Sequence, residues 1–207
     1  MNSKFELAIF DCDGVLFDSK EANRAYYNRV LSEFGLDEMD EDELSYCHMH
    51  TAAESLRYLF RNDLELLQKA SVFVTQLDYS DFLEHMKMEP GVVDTLENIR
   101  PPLLTAVSTN RSTTMPKLIE IYGLDRWFDS IVCALDVSKP KPNSEGVQKI
   151  LDTLGADPGK TIYIGDSIID EMVADRAGLP LIAYKNRNLK ALFHVEHFNE
   201  LTRILLE

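Results

Sequence analysis

Apolar residues in this chain fall into short unbroken runs separated by spaced, helix-like faces. Residues 5–10 form a nearly continuous apolar run that stops at Asp11, and similar runs recur at 103–107, 130–133, 161–164 and 180–183. A short run without polar alternation predicts a strand covered on both sides, as in a parallel sheet packed between helices. Between the runs, Leu118, Ile119 and Tyr122 lead to Gly123, and Val147, Ile150, Leu151 and Leu154 lead to Gly155. Both patterns predict a helix closed by a glycine C-cap. Strand–helix alternation of this kind predicts a doubly wound, mainly parallel α/β sheet of Rossmann-like type.

One stretch breaks the alternation. From residue 19 to 88 no strand pattern appears, only apolar faces at helical spacing. Ala22, Tyr26, Val30, Leu31 and Phe34 make one, Leu56, Leu59 and Phe60 a second, and Leu67, Ala70, Val74 and Leu77 a third. An all-helical block after the first strand predicts a small inserted domain. Residues 1–16 and 88–207 are expected to form the α/β core and 17–87 a helical cap, with the sheet resuming at the turn Glu89-Pro90-Gly91. Six acids crowd into residues 37–43, which read as a solvated loop and helix start.

Composition narrows the partners. With 45% apolar and 27% charged residues the chain is in the globular range. Its net charge of −14 argues against nucleic acid and anionic membranes. Cys12, Cys47 and Cys133 are too far apart for a metal-ligand pattern and read as reduced thiols. No signal-peptide layout or membrane-length apolar stretch is found, so a cytoplasmic protein is expected, as monomer or homodimer.

Candidate chemistry collects where the strands end, since ligands of open α/β sheets bind beyond the carboxyl ends. The first run is followed by Asp11-Cys12-Asp13-Gly14, the second by Ser108-Thr109-Asn110, and the third, after a short loop, by Lys139-Pro140-Lys141-Pro142. The fourth is followed by Gly165-Asp166-Ser167, with Asp170 one helical turn on. Four carboxylates in one crevice raise each other's pKa and call for a hard divalent cation. Mg²⁺ accepts a few carboxylates and completes its shell with water and phosphate, and a lysine adds positive charge for the same phosphate. An ionised aspartate can then attack phosphorus, and a second carboxyl two residues on can protonate the leaving oxygen and later activate water.

These segments, in this order, resemble the phosphatase branch of the haloacid dehalogenase-like hydrolase superfamily. The resemblance rests on Asp11-Cys12-Asp13-Gly14-Val15-Leu16-Phe17-Asp18-Ser19, Thr109-Asn110, Lys139-Pro140-Lys141-Pro142 and Gly165-Asp166-Ser167-Ile168-Ile169-Asp170. It implies a capped α/β fold and hydrolysis of a small phosphorylated metabolite, in the manner of phosphoglycolate phosphatase-like enzymes. By the same resemblance Asp11 is nucleophile and metal ligand, and Asp13 is acid/base and lends its backbone carbonyl to the metal. Thr109 and Asn110 hold the phosphoryl group and Lys139 neutralises it. Asp166 is a side-chain ligand to Mg²⁺, and Asp170 steadies a metal-bound water or the lysine. Lys139 is preferred because it opens the K-P-x-P pattern, which leaves Lys141 on the surface. Gly14, Ser19, Arg111, His48 and His50 are candidate substrate contacts.

The resemblance also leaves a second reading, a phosphohexose mutase that returns the phosphoryl group to the sugar. Related enzymes usually carry a glycine where this chain has Met49, and the mutases often an arginine where it has Ala52, with Arg57 or Arg61 as substitutes. A receiver-like signalling domain also clusters aspartates, a hydroxyl and a lysine. The helical insertion and Asp13 argue against it.

Overall fold

The computed structural model describes residues 4–49, 52–61 and 63–207. In chain order, β1 (Leu7–Phe10) and β2 (Phe17–Asp18) are followed by four helices, α1 (Lys20–Glu33), α2 (Glu41–Met49), α3 (Ala52–Leu59) and α4 (Leu64–Phe73). Then come β3 (Lys87–Met88), α5 (Val92–Ile99), β4 (Leu104–Ser108), α6 (Met115–Tyr122), β5 (Ser130–Val132) and α7 (Glu145–Leu154). The chain closes with β6 (Thr161–Gly165), α8 (Ile168–Ala177), β7 (Leu181–Tyr184), β8 (Phe193–Val195) and α9 (Phe198–Leu206). It divides into two compact units: residues up to Phe17 with those from Met88 onward, and Asp18–Lys87.

In the first unit, six parallel strands stand in the order β5-β4-β1-β6-β7-β8. The apolar run at 5–10 becomes β1 because every residue of it is buried, so no face needs polar alternation. From β1 the chain builds outward through β4 and β5 on one side, then crosses back to β6 on the other side of β1. That reversal opens a crevice at the carboxyl ends of these three strands. One core packs Leu7, Ile9, Ala106 and Tyr163 of the sheet against Val147, Ile150 and Val173 of α7 and α8. On the other face Phe10 stacks on Phe198, and the Thr95 hydroxyl of α5 donates to the Phe198 carbonyl of α9 at 3.0 Å. The expected C-cap glycines, Gly123 and Gly155, both adopt left-handed conformations at the ends of α6 and α7.

The second unit is helical and has its own core, in which Tyr27, Val30, Leu31, Leu44, Leu56, Leu59, Phe60 and Ala70 are buried. Within the acidic run, Asp40 caps α2 by accepting from the Asp42 and Glu43 backbone N–H groups at 2.9 and 2.8 Å. Three strands have no forerunner in the hydrophobic pattern: the two-residue β2 and β3, which pair with each other, and the edge strand β8. Among the described residues no helix is long and apolar enough to cross a membrane.

Candidate active site

The site is assembled from the ends of β1, β4 and β6 and from the loop before α7. Asp11 follows β1 directly, and its N–H still donates to the Ile164 carbonyl of β6 at 2.9 Å. The chain then folds into a tight loop in which the Leu16 and Phe17 N–H groups both donate to the Cys12 carbonyl, at 2.9 and 3.0 Å. Cys12 is fully buried, a packing residue between two acids. Gly14, at φ +81°, is required here: a Cβ would lie 2.2 Å from Asp166 Oδ2. Its place is the close approach of the β1 and β6 loops.

The cation of the site is Lys141. Its Nζ donates to Asp11 Oδ1 at 2.7 Å, to Asp170 Oδ1 at 2.7 Å and to the Tyr163 hydroxyl at 2.9 Å, with 6% of its side chain exposed. This corrects the expectation for Lys139, which is exposed and whose backbone N–H donates to Glu145 at 3.0 Å. The physical reason lies in Asn110. Its side-chain amide accepts from Lys141 N at 2.8 Å and donates to Lys141 O at 3.0 Å, which fixes the second lysine of the loop beside β4. Asn110 is itself exposed and uses its side chain on the protein.

Asp170 is wholly buried and does two jobs. Its Oδ2 accepts from the Ser167 hydroxyl at 2.6 Å and the Ser167 N–H at 3.2 Å, closing a capping box at the start of α8. Its Oδ1 accepts from Lys141. Asp166 lies at the end of β6, and Asn186 Nδ2 holds its backbone carbonyl at 2.8 Å. Asp13 points to another partner: its carboxylate pairs through both oxygens with Arg111, Nε to Oδ2 at 3.1 Å and Nη2 to Oδ1. Arg111, considered above for a substrate anion, is thus engaged by Asp13 and by the Thr114 hydroxyl at 3.1 Å. Thr109 is buried and its Oγ1 accepts from the Arg111 N–H at 3.0 Å.

Asp11, Asp166 and Asp170 bring one carboxylate oxygen each to within 4.8 Å of one another. One ammonium faces these three carboxylates, and the titration behaviour reflects the imbalance. Burial, and then the charge of Asp170, push the Asp11 carboxyl well above the ordinary range, against the pull of Lys141. Burial and then Asp170 push Asp166 up to about 7. Burial alone would raise Asp170, but the Lys141 ammonium together with the Ser167 hydrogen bonds outweighs it and holds the group below its ordinary value. Burial pulls Lys141 down, yet the groups around it, Asp11 foremost, hold its pKa well above the ordinary value.

The donor set fits Mg²⁺, a hard cation that takes a few carboxylate oxygens. Asp11 and Asp166 suit it best, because both oxygens of Asp170 already accept from Lys141 and Ser167. The Asp13 carboxylate is outside the group and is paired with Arg111.

Of the remaining candidates, Ser19 is buried at the N-terminus of α1 in the helical unit, and Arg57 and Arg61 are exposed in the same unit. His50 and the side chain of His48 lie outside the described residues. Tyr163 was hidden in the sequence by the apolar run around it. The signal available was a hydroxyl inside a buried strand, which has to find a partner.

A family model described as haloacid dehalogenase-like hydrolase matches residues 8–184. A crystal structure of a HAD-superfamily hydrolase, subfamily IA, variant 1, from Geobacter sulfurreducens is 32% identical. It has a TM-score of 0.90 and covers 99% of this chain and 98% of its own. Among curated relatives, a phosphoglycolate phosphatase of Agrobacterium fabrum is 28% identical over 85% of this chain and 78% of its own length. A pyrophosphatase PpaX of Oceanobacillus iheyensis is 29% identical over 93% and 91%.

Proposed function

Because the chain belongs to the haloacid dehalogenase-like hydrolase family, we propose that it hydrolyses the phosphomonoester of a small phosphorylated metabolite through phospho-Asp11. The observation that carries this reading is the Lys141 ammonium set 2.7 Å from both Asp11 and Asp170 at the mouth of a parallel sheet, with Asp166 alongside. The names of its relatives, a phosphoglycolate phosphatase and a pyrophosphatase, support a small phosphate compound as substrate. We place the enzyme in the cytoplasm.

Asp11 and Asp166, with the Asp13 carbonyl, would hold Mg²⁺, which when bound supplies positive charge to the transferring phosphoryl oxygens. In the first step an Asp11 carboxylate oxygen attacks phosphorus, the ester P–O bond breaks, and Asp13, released from Arg111 and protonated, gives its proton to the leaving oxygen. In the second, water attacks the phosphorus of phospho-Asp11 and passes a proton to Asp13, which releases phosphate and restores both carboxyls. Lys141 neutralises the phosphoryl charge in both steps, and Thr109 with the Asn110 N–H orients the oxygens. Such preorganised charge is the largest contribution expected in phosphoryl transfer.

The test is steady phosphate release from p-nitrophenyl phosphate with Mg²⁺, compared with Asp11→Asn and Asp13→Asn. Both substitutions are expected to abolish turnover, and activity surviving Asp11→Asn would falsify the mechanism. A panel containing 2-phosphoglycolate, pyrophosphate and hexose phosphates, scored for free phosphate against isomerised sugar, then identifies the substrate class.

A further inference from the structure

Tyr163 occupies the middle of β6, paired in register with Ile9 of β1 and Leu181 of β7. It is fully buried in an otherwise apolar cluster. Phenylalanine would fill the same space without a polar atom to desolvate, and burying a hydroxyl costs free energy unless it is hydrogen-bonded. The Ser108 carbonyl, 3.3 Å away, would satisfy that need alone. The hydroxyl instead also meets Lys141 Nζ at 2.9 Å and Asp170 Oδ1 at 3.1 Å.

Lys141 has three N–H donors, and three acceptors surround it: Asp11, Asp170 and Tyr163. A lysine ammonium is a point charge on a flexible stem, without the built-in geometry of a guanidinium. Two carboxylates on one side leave it free to swing about the line joining them, and a third acceptor removes that freedom. Its Nζ also lies 5.5 Å from the Tyr163 ring centroid, within reach of the ring's attraction for a cation.

We infer that Tyr163 is a positioning residue for the reaction, the third point of a cradle that fixes the Lys141 ammonium beside Asp11, where its charge faces the phosphoryl group that Asp11 receives. The inference rests on the reading of Lys141 as the phosphoryl-neutralising cation. It assigns the tyrosine no proton transfer and no contact with substrate. It makes the hydroxyl, not the ring, the functional part.

The experiment compares wild type, Tyr163→Phe, Lys141→Met and the double variant. Each is assayed for kcat and KM toward p-nitrophenyl phosphate and for orthovanadate affinity by calorimetry with Mg²⁺. Tyr163→Phe is expected to lower kcat and weaken vanadate binding roughly tenfold, in the range of coupling between contacting residues, with KM within twofold. The double variant is expected to be no worse than Lys141→Met. Replacing Tyr163 by 3-fluorotyrosine keeps the ring and the hydroxyl, and is expected to restore kcat to within twofold of wild type. Fluorine lowers the hydroxyl's pKa and weakens it as an acceptor for Lys141, so if Tyr163→Phe fails to fold, a shifted pH profile of kcat in this arm supports the role of the hydroxyl and an unshifted profile overturns it. Wild-type kcat in Tyr163→Phe, an equal added loss in the Lys141→Met background, or no recovery with 3-fluorotyrosine overturns the inference. Full vanadate affinity in Lys141→Met would instead remove the reading of Lys141 on which it rests.

Discussion

Asn110 and Lys141 are joined by two reciprocal hydrogen bonds, Lys141 N to Asn110 Oδ1 at 2.8 Å and Asn110 Nδ2 to Lys141 O at 3.0 Å. This side-chain amide mimics a strand partner and ties the loop before α7 to the end of β4. Asn110→Ala removes both bonds while leaving the lysine in the chain. A reacting group displaced by about 1 Å can cost on the order of 100-fold. We expect kcat toward p-nitrophenyl phosphate to fall roughly 10- to 100-fold, with the circular dichroism spectrum unchanged. Wild-type kcat in this variant would show that the loop holds Lys141 without the amide.

The two lysines of the Lys139-Pro140-Lys141-Pro142 loop are expected to separate cleanly. Lys141→Met removes the charge next to Asp11 and should cost about 100- to 1000-fold in kcat, the scale of losing one preorganised donor. Lys139→Met changes an exposed side chain and should stay within about twofold, as surface substitutions do. Steady-state kinetics of the pair decides it, and a larger loss at Lys139 would reverse the assignment.

Metal and proton compete for the same carboxylates. Asp166 holds its proton up to pH about 7 because burial and the charge of Asp170 penalise the anion. In the unfolded chain it ionises near pH 4. Between about pH 4 and 7 Asp166 is protonated more in the folded metal-free protein than in the unfolded chain, so the contribution of this group to stability falls as pH rises through that window. Mg²⁺ takes the anion and displaces the proton. The rise in Tm on adding Mg²⁺ should therefore be larger at pH 8 than at pH 5.5, and Asp166→Asn should flatten the difference. Equal shifts at both pH values would count against Asp166 as a ligand.

Gly165 precedes Asp166 at the end of β6, and a Cβ there would lie 2.3 Å from Asp170 Cβ. The clash is with the first turn of α8, so the side chain cannot simply rotate away. Gly165→Ala is expected to destabilise the fold by about 1–3 kcal/mol, the usual cost of overpacking. It should lower kcat as well, because Asp170 carries Lys141. Urea unfolding and the phosphatase assay measure the two effects, and a variant unchanged in both would mean that α8 shifts without consequence.

How far the sequence carried this reading depended on whether the decisive interaction was local. The strands at 7–10 and 161–165 were legible because burial on both faces leaves an unbroken apolar run. Asp166 and Asp170 were legible because they stand directly after a buried strand and one helical turn apart. Lys141 was not, since its choice over Lys139 is made by Asn110, 31 residues earlier in the chain. The Arg111–Asp13 pair spans 98 residues, and no spacing rule reaches it. β2 and β3 are two residues each, too short to show periodicity.

The division of the chain at Asp18 and Lys87 has a practical consequence for engineering. Among the described residues, every partner of the Lys141 side chain, and all three carboxylates of the candidate metal group, come from outside that segment. The segment has an apolar core of its own. A chimera that grafts another helical insertion between Phe17 and Met88 would keep every residue of the Lys141 cluster and of the candidate metal group.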